Sequence, residues 1–370
     1  MLEARARLGE HCFIRDNGFA RIQGLPGSHC VTAGQDVNGE DTSLMVVASI
    51  EGYAIECESL TRKFGNFTAV NSINLKIKRG ELFGFLGPNG AGKTTTIKVL
   101  TTLLTPTVGR ASIASFDVIK DAAQVRSRIG VVPQEFALFG ELTAMENLWY
   151  IGTLFGMGKD EMRHRSEELL KTVGLFDKKD VQAEGFSGGM KQRLSVAAGL
   201  LHMPEILFMD EPTTGLDPQS RIALRDLTRS LNESGITIVY TTHDMEEADK
   251  LCHRIAIMDH GKIIAEDTPE MLKHRYGGSH RIRIEFSGSN QYNASILAEL
   301  KKLTGASNVH TSTNNEGAVI DLSVEHAGCE LVTEVAGFLD KKKIKVIDVK
   351  SVEPSLEDVF INLTKDDVNI

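Results

Sequence analysis

The sequence predicts an α/β fold built on a largely parallel sheet, followed by a second, smaller α+β domain. Three observations carry that expectation. Short apolar runs at residues 71–77, 81–86, 129–132, 206–209, 236–240 and 255–258 alternate with turns and helical patterns. Continuous apolar strands separated by helices suit a sheet covered on both faces. A glycine-rich turn at 87–94 joins one of these strands to a helix, and at 276–279 a Tyr-Gly-Gly-Ser seam precedes a new pattern of strands and helices.

The elements follow in chain order. The chain has 370 residues, 41% hydrophobic and 25% charged, which is ordinary globular composition and leaves room for two domains. Residues 1–50 show no sustained period of 2 or 3.6 and are expected to be a poorly ordered extension. His11, Cys12, His29 and Cys30 within it lack the paired spacing of a metal site, and Met45 is a candidate alternative start. The main domain is expected over 51–275. Inside it, strands give way to helical periodicity over about 134–185, an inserted helical subdomain, with a capping box at Thr143 and Glu146 opening its first helix. The second domain, 280–366, reads as a βαββαβ sandwich with strands at 281–286, near Val309, at 318–324 and at 344–349, and helices at 292–303 and 331–339. Pro354 is expected to start a final helix whose Leu356, Val359, Phe360 and Leu363 form one apolar stripe, packed on the small domain or on a second subunit.

Composition also excludes. No apolar run approaches the roughly 18 residues of a spanning helix, so no direct membrane span is expected. A net charge of −9 argues against a nucleic-acid partner. Five scattered cysteines with no CxxC pair fit reduced thiols.

The chemistry lies in two motifs. Gly87, Pro88, Asn89, Gly90, Ala91, Gly92, Lys93 and Thr94 fit GxxxxGK[ST], the P-loop, between a strand and a helix that continues through Thr95. Glycines let successive amides curl around phosphate oxygens, Lys93 offers a point charge, and Thr94 offers a hydroxyl to Mg²⁺. The apolar strand at 206–209 ends in Asp210 and Glu211, as a Walker B segment does. Asp210 is the expected Mg²⁺ carboxylate, and Glu211 the group that orients and deprotonates the attacking water.

Between the two motifs, Phe186-Ser187-Gly188-Gly189-Met190 heads a helix, and with it the chain resembles the ATP-binding cassette (ABC) ATPases. The similarity covers residues 53–275. It implies a RecA-like parallel core with an antiparallel β subdomain and a helical subdomain, with ATP and Mg²⁺ bound. It implies that Ser187, Gly188 and Gly189 close on the γ-phosphate of a second copy in a homodimer, with Asp217 at the dimer interface. By the same resemblance Gln134 senses Mg²⁺ and the attacking water, His243 contacts the γ-phosphate, and Phe64 stacks on adenine where Tyr is commoner. Phe186 stands where Leu is usual and Met190 where Gln is usual.

The C-terminal stretch at 353–364 looks like that of drug-export ATPases of the daunorubicin-resistance type. This implies a separately encoded membrane permease as partner, a drug-like or hydrophobic cargo, and a cytoplasmic protein held peripherally at the inner face of the membrane. The alternatives are a soluble ABC ATPase with no transport role and an exporter subunit for lipid or polysaccharide.

Overall fold

Tyr53–Phe64 (β1) and Phe67–Lys78 (β2) form an antiparallel hairpin, joined by Val108–Ile113 (β4) and Phe116–Asp117 (β5) in the order β2-β1-β4-β5. The expected strand at 71–77 therefore lies in this antiparallel sheet and not in the parallel one. Leu82–Leu86 (β3), Ile129–Val132 (β6), Ile206–Asp210 (β7), Thr237–Thr242 (β8) and Arg254–Asp259 (β9) run parallel, with Lys262–Asp267 (β10) antiparallel at one edge. The order is β10-β9-β3-β8-β7-β6.

The computed structural model describes residues 52–287, 294–314, 317–325 and 329–364. The extension expected over 1–50 and the first residues of the helix expected at 292 lie outside them.

Strand pleating explains the apolar runs. Phe83 and Phe85 of β3, with Ile206 and Phe208 of β7, enter the core shared with the antiparallel sheet. Leu82, Leu86, Leu207 and Met209 enter the core on the other face, beneath the helices. Since successive side chains point to opposite faces, a strand buried on both is apolar at most positions, and its buried polar residues, such as Asp210 and Thr241 at the strand ends, are hydrogen-bonded.

The helices are Lys93–Leu100 (α1), Ala122–Arg126 (α2), Ala144–Leu154 (α3), Lys159–Thr172 (α4), Gly188–Leu200 (α5), Pro218–Glu233 (α6), Met245–Leu251 (α7) and Pro269–Tyr276 (α8). Helices α3 and α4 form the insertion. Thr143 and Glu146 make the reciprocal capping box, with Glu146 N–H donating to Thr143 Oγ1 at 3.1 Å and Thr143 N–H to the Glu146 carboxylate at 2.8 Å. Phe186 and Met190 pack on the core beneath the helices, Phe186 fully and Met190 partly buried.

After the seam, His280–Ser287 (β11), Ala294–Thr304 (α9), Asn308–Asn314 (β12), Gly317–Val324 (β13), Cys329–Lys341 (α10) and Val346–Val352 (β14) form an antiparallel sheet of order β12-β13-β11-β14, with its own apolar core. That is the ferredoxin-like βαββαβ arrangement. Leu356–Thr364 (α11) then leaves this sheet and packs against α8 and α7 of the main domain, not on the small domain or a second subunit as expected. Its start corrects the expectation for Pro354: Ser355 is the cap, with Asp358 N–H donating to Ser355 Oγ at 3.2 Å and Ser355 N–H to the Asp358 carboxylate at 2.9 Å. A hydroxyl cap and a carboxylate three residues on satisfy donors that proline cannot.

Leu356 and Val359 are buried in the core of the main domain together with Leu251 and Leu272. Leu356→Ala is therefore expected to destabilise the chain by about 2–5 kcal/mol, the usual cost of emptying a packed leucine site. Urea unfolding of the full chain measures it, and an unchanged midpoint would contradict the packing.

Candidate nucleotide-binding site

Strand β3 ends in the glycine turn, and two of its glycines are dictated by crowding. A Cβ on Gly87 would meet the Met258 carbonyl oxygen at 2.2 Å. Gly92 has φ +105, and a Cβ there would meet the Ala69 carbonyl oxygen at 2.5 Å. Gly92 caps α1 without any side chain on its first amides. Those amides are free for an anion, and the positive end of the helix favours one. Pro88, Asn89 and Gly90 form an exposed lip, Ala91 is buried, and Thr94 and Thr95 are half-buried at the first turn of α1.

Lys93 is only 4% exposed. Its Nζ donates to the carbonyls of Gly87 at 2.7 Å and Pro88 at 3.1 Å, and pairs with Glu211 Oε1 at 3.1 Å. Lys93 is thus folded back onto its own loop and held by the Glu211 carboxylate. Thr94 Oγ1 donates to Asp210 Oδ1 at 3.1 Å, and Thr241 Oγ1 donates to the same oxygen at 2.7 Å.

Glu211 sits in the left-handed region with φ +45. Such a backbone costs a non-glycine residue about 1–3 kcal/mol and persists only where the surroundings enforce it. Here its amide is gripped by Thr241, through the carbonyl at 3.2 Å and the hydroxyl at 2.9 Å. Glu211 Oε2 accepts from Thr214 Oγ1 at 3.3 Å and lies 3.0 Å from His243 Nδ1. Burial pushes the Glu211 carboxyl up, but the hydrogen bond and charge of Lys93, aided by His243, outweigh it and leave the group below its ordinary value. Glu211 is therefore ionised at neutral pH.

Strand ends β3, β7 and β8 thus bring Lys93, Thr94, Asp210, Glu211 and His243 into one cluster. Among the described residues, no hydrogen bond or ion pair ties the remaining expected residues to it. Gln134 is exposed on the loop leaving β6. Phe64 is 45% exposed near the β1–β2 turn, with the Arg62 guanidinium 4.6 Å from its ring centre. Ser187 caps α5, accepting from Met190 N–H at 3.3 Å. Gly188 and Gly189 approach Leu216 and Ser220, and a Cβ on Gly189 would meet Ser220 Oγ at 2.2 Å. Asp217 caps α6 by accepting from the amides of Gln219 and Ser220 at 3.1 and 3.0 Å. The hydrogen bonds from the Ser220 hydroxyl and amide hold its carboxyl below the usual range.

The sequence reading missed Thr241, which grips both acidic residues, and the buried group formed by Thr213, Tyr240, Thr242 and Glu247. No spacing rule singles out a threonine in a strand, so only the fold reveals them.

The ABC transporter family model matches residues 70–214, and that of the ATP-binding protein DrrA1-3-like C-terminal domain matches residues 268–364. The chain is 39% identical over 310 residues to the linearmycin resistance ATP-binding protein LnrL of Bacillus subtilis, spanning 84% of this chain and 98% of that one. It is 40% identical over 314 residues to the daunorubicin resistance ATP-binding protein DrrA3 of Streptomyces coeruleorubidus, spanning 85% and 96%. Among solved structures, the dimeric post-hydrolysis ATP-binding cassette MJ0796 bound to ADP and Pi superposes with a TM-score of 0.53 at 31% identity, covering 58% of this chain and 98% of that one. With both family models matched and relatives of 39% and 40% identity spanned along nearly their whole length, the chain is an ATP-hydrolysing member of the ABC transporter family of ATP-binding proteins, in the branch that carries a DrrA-like C-terminal domain.

Proposed function

We propose that the chain drives export of a drug-like or hydrophobic compound through a separately encoded permease, as one half of an ATP-clamped homodimer at the inner face of the membrane. The supporting observation is that the match to resistance ATP-binding proteins runs through the cassette and on into the C-terminal domain. Among the described residues no helix is long and apolar enough to cross a membrane, and in this reading the separate permease supplies the passage.

The site residues divide the work. The uncapped amides at the start of α1, with Thr95 at its first turn, and those of the 87–92 loop that are not engaged within it receive the phosphates, and Lys93 turns from Glu211 to the β- and γ-phosphates. Phe64 offers its exposed ring to the adenine. Thr94 and Asp210 present the hard oxygen donors that suit Mg²⁺, with Gln134 as a third; bound there, the ion would neutralise phosphate charge. Glu211 takes the proton of the attacking water, and His243, half exposed beside it, faces the γ-phosphate. Ser187, Gly188 and Gly189 present a capped helix tip for the nucleotide of the other copy, with Asp217 at the junction. Loss of the γ-phosphate removes a contact shared by both copies and so shifts the dimer toward opening.

This arrangement is tested with Ser187→Arg. ATP affinity of the single chain is expected to change by less than ~2-fold, while turnover falls at least ~10-fold, because only the assembled site uses that helix tip. Specific activity of the unaltered chain should rise with protein concentration. Turnover independent of concentration and indifferent to Ser187→Arg would overturn the shared site.

A further inference from the structure

Behind the cluster lies a second carboxylate to which nothing above gives a task. Glu247, on α7, is 4% exposed and has no cation among its hydrogen-bond partners. It accepts three side-chain hydroxyls instead. Tyr240 donates to Oε1 at 2.8 Å, while Thr213 and Thr242 each donate to Oε2 at 2.9 Å. An acceptor-only group with several lone pairs can take all three at once, which no neutral side chain of this size can do. Burying a carboxylate is costly unless its oxygens are so engaged. The Tyr240 hydroxyl is correspondingly hard to ionise, first through burial and then through the adjacent Glu247 charge.

The partners are what make this more than core packing. Thr213 lies two residues after Glu211, on the segment that leads to Asp217. Thr242 immediately precedes His243, and its hydroxyl also accepts from the Asp244 amide at 2.9 Å. Asp244 in turn caps α7 by accepting from the Glu247 amide at 3.0 Å. One buried side chain thus pins the backbone after Walker B and the backbone that carries the histidine to the same helix. That helix is itself backed by α11.

We propose that Glu247 is a positioning residue for hydrolysis: by holding Thr213 and Thr242 together it fixes the spacing of Glu211 and His243 and makes the two segments move as one. Its three side-chain hydrogen bonds go to Thr213, Tyr240 and Thr242 and none to the 87–94 loop, so its influence falls on the chemical step and not on nucleotide capture. This inference rests on the roles proposed above for Glu211 and His243.

Steady-state ATP hydrolysis by the full chain separates it from a purely structural role. Glu247→Leu is expected to lower kcat by ~100-fold with KM for ATP within ~2-fold, a loss confined to the chemical step. Glu247→Gln, which keeps one acceptor oxygen, should recover activity to within ~10-fold of the unaltered chain. If Glu247→Leu does not fold, Thr213→Val and Thr242→Val carry the test, each deleting one hydroxyl at nearly constant volume and each expected to lower kcat by ~10-fold at constant KM. Folded variants with unchanged kcat, or with KM raised and kcat kept, would overturn the proposal, as would Gln failing to improve on Leu. Should Glu211→Gln and His243→Ala turn over at the full rate, the reading of the catalytic cluster is what fails, and that outcome is distinct.

Discussion

Glu211→Gln is expected to slow ATP hydrolysis by about 10²–10⁴-fold, the usual contribution of a general base, while ATP binding is kept or strengthened. The second half of that expectation comes from the geometry. Lys93 is engaged by Glu211 at 3.1 Å, so an incoming triphosphate has to win the ammonium from a carboxylate. Glutamine retains the shape but not the charge, which leaves the lysine freer for phosphate. A slow-turnover, ATP-bound protein should then accumulate as a dimer. Phosphate release, ATP titration and sedimentation in the presence of Mg-ATP measure the three parts. Hydrolysis at the unaltered rate would remove Glu211 from its role.

Lys93→Ala has the second large effect, on binding. If Lys93 takes the phosphate role proposed for it, removing its charge is expected to weaken ATP affinity by ~100-fold, in the range of losing a charge-assisted contact in a desolvated site. Affinity within ~2-fold of the unaltered chain would contradict the phosphate assignment. The same change strips Glu211 of its main counter-charge while leaving it buried, so its pKa should rise. The linkage has a definite sign. In the unaltered chain the folded pKa is lowered, so the carboxylate contributes stability that is present above the unfolded value of about 4.3 and is lost as pH falls through the lower folded value. In Lys93→Ala that acid limb should shrink or reverse. Urea unfolding of both proteins across pH 3–7, a window spanning that unfolded value, measures it.

The legible part of this molecule was the part whose pattern lies on consecutive residues. The glycine turn at 87–92 was placed between a strand and a helix, where β3 and α1 lie, and 206–210 as a buried strand leading into two carboxylates, where β7 lies. The split of the strands between two sheets was less visible: over 71–77 Ile73, Leu75 and Ile77 alternate with Asn74 and Lys76, the mark of a strand buried on one face, but only the pairing of β2 with β1 decides which sheet it joins. Least visible was the support behind the cluster. Thr241 reaches Asp210 across 31 positions and Thr213 reaches Glu247 across 34, and long-range hydrogen bonds between common residue types leave no spacing signature. Pro354 misled for a local reason: proline is common at the first turn, but here the hydroxyl of Ser355 supplies the cap one residue later.

The return of the last helix to the main domain has a practical corollary for how the chain can be shortened. The ferredoxin-like unit is anchored at both its entrance and its exit, like a handle on a cup, and its exit anchor fills space beside Leu251 and Leu272. A stop codon just before Leu356 would uncover that greasy seam in an otherwise complete enzyme. Such a truncation is expected to clump in solution, and a bulky fusion partner is better attached beyond Thr364 through a spacer than grafted onto the helix itself.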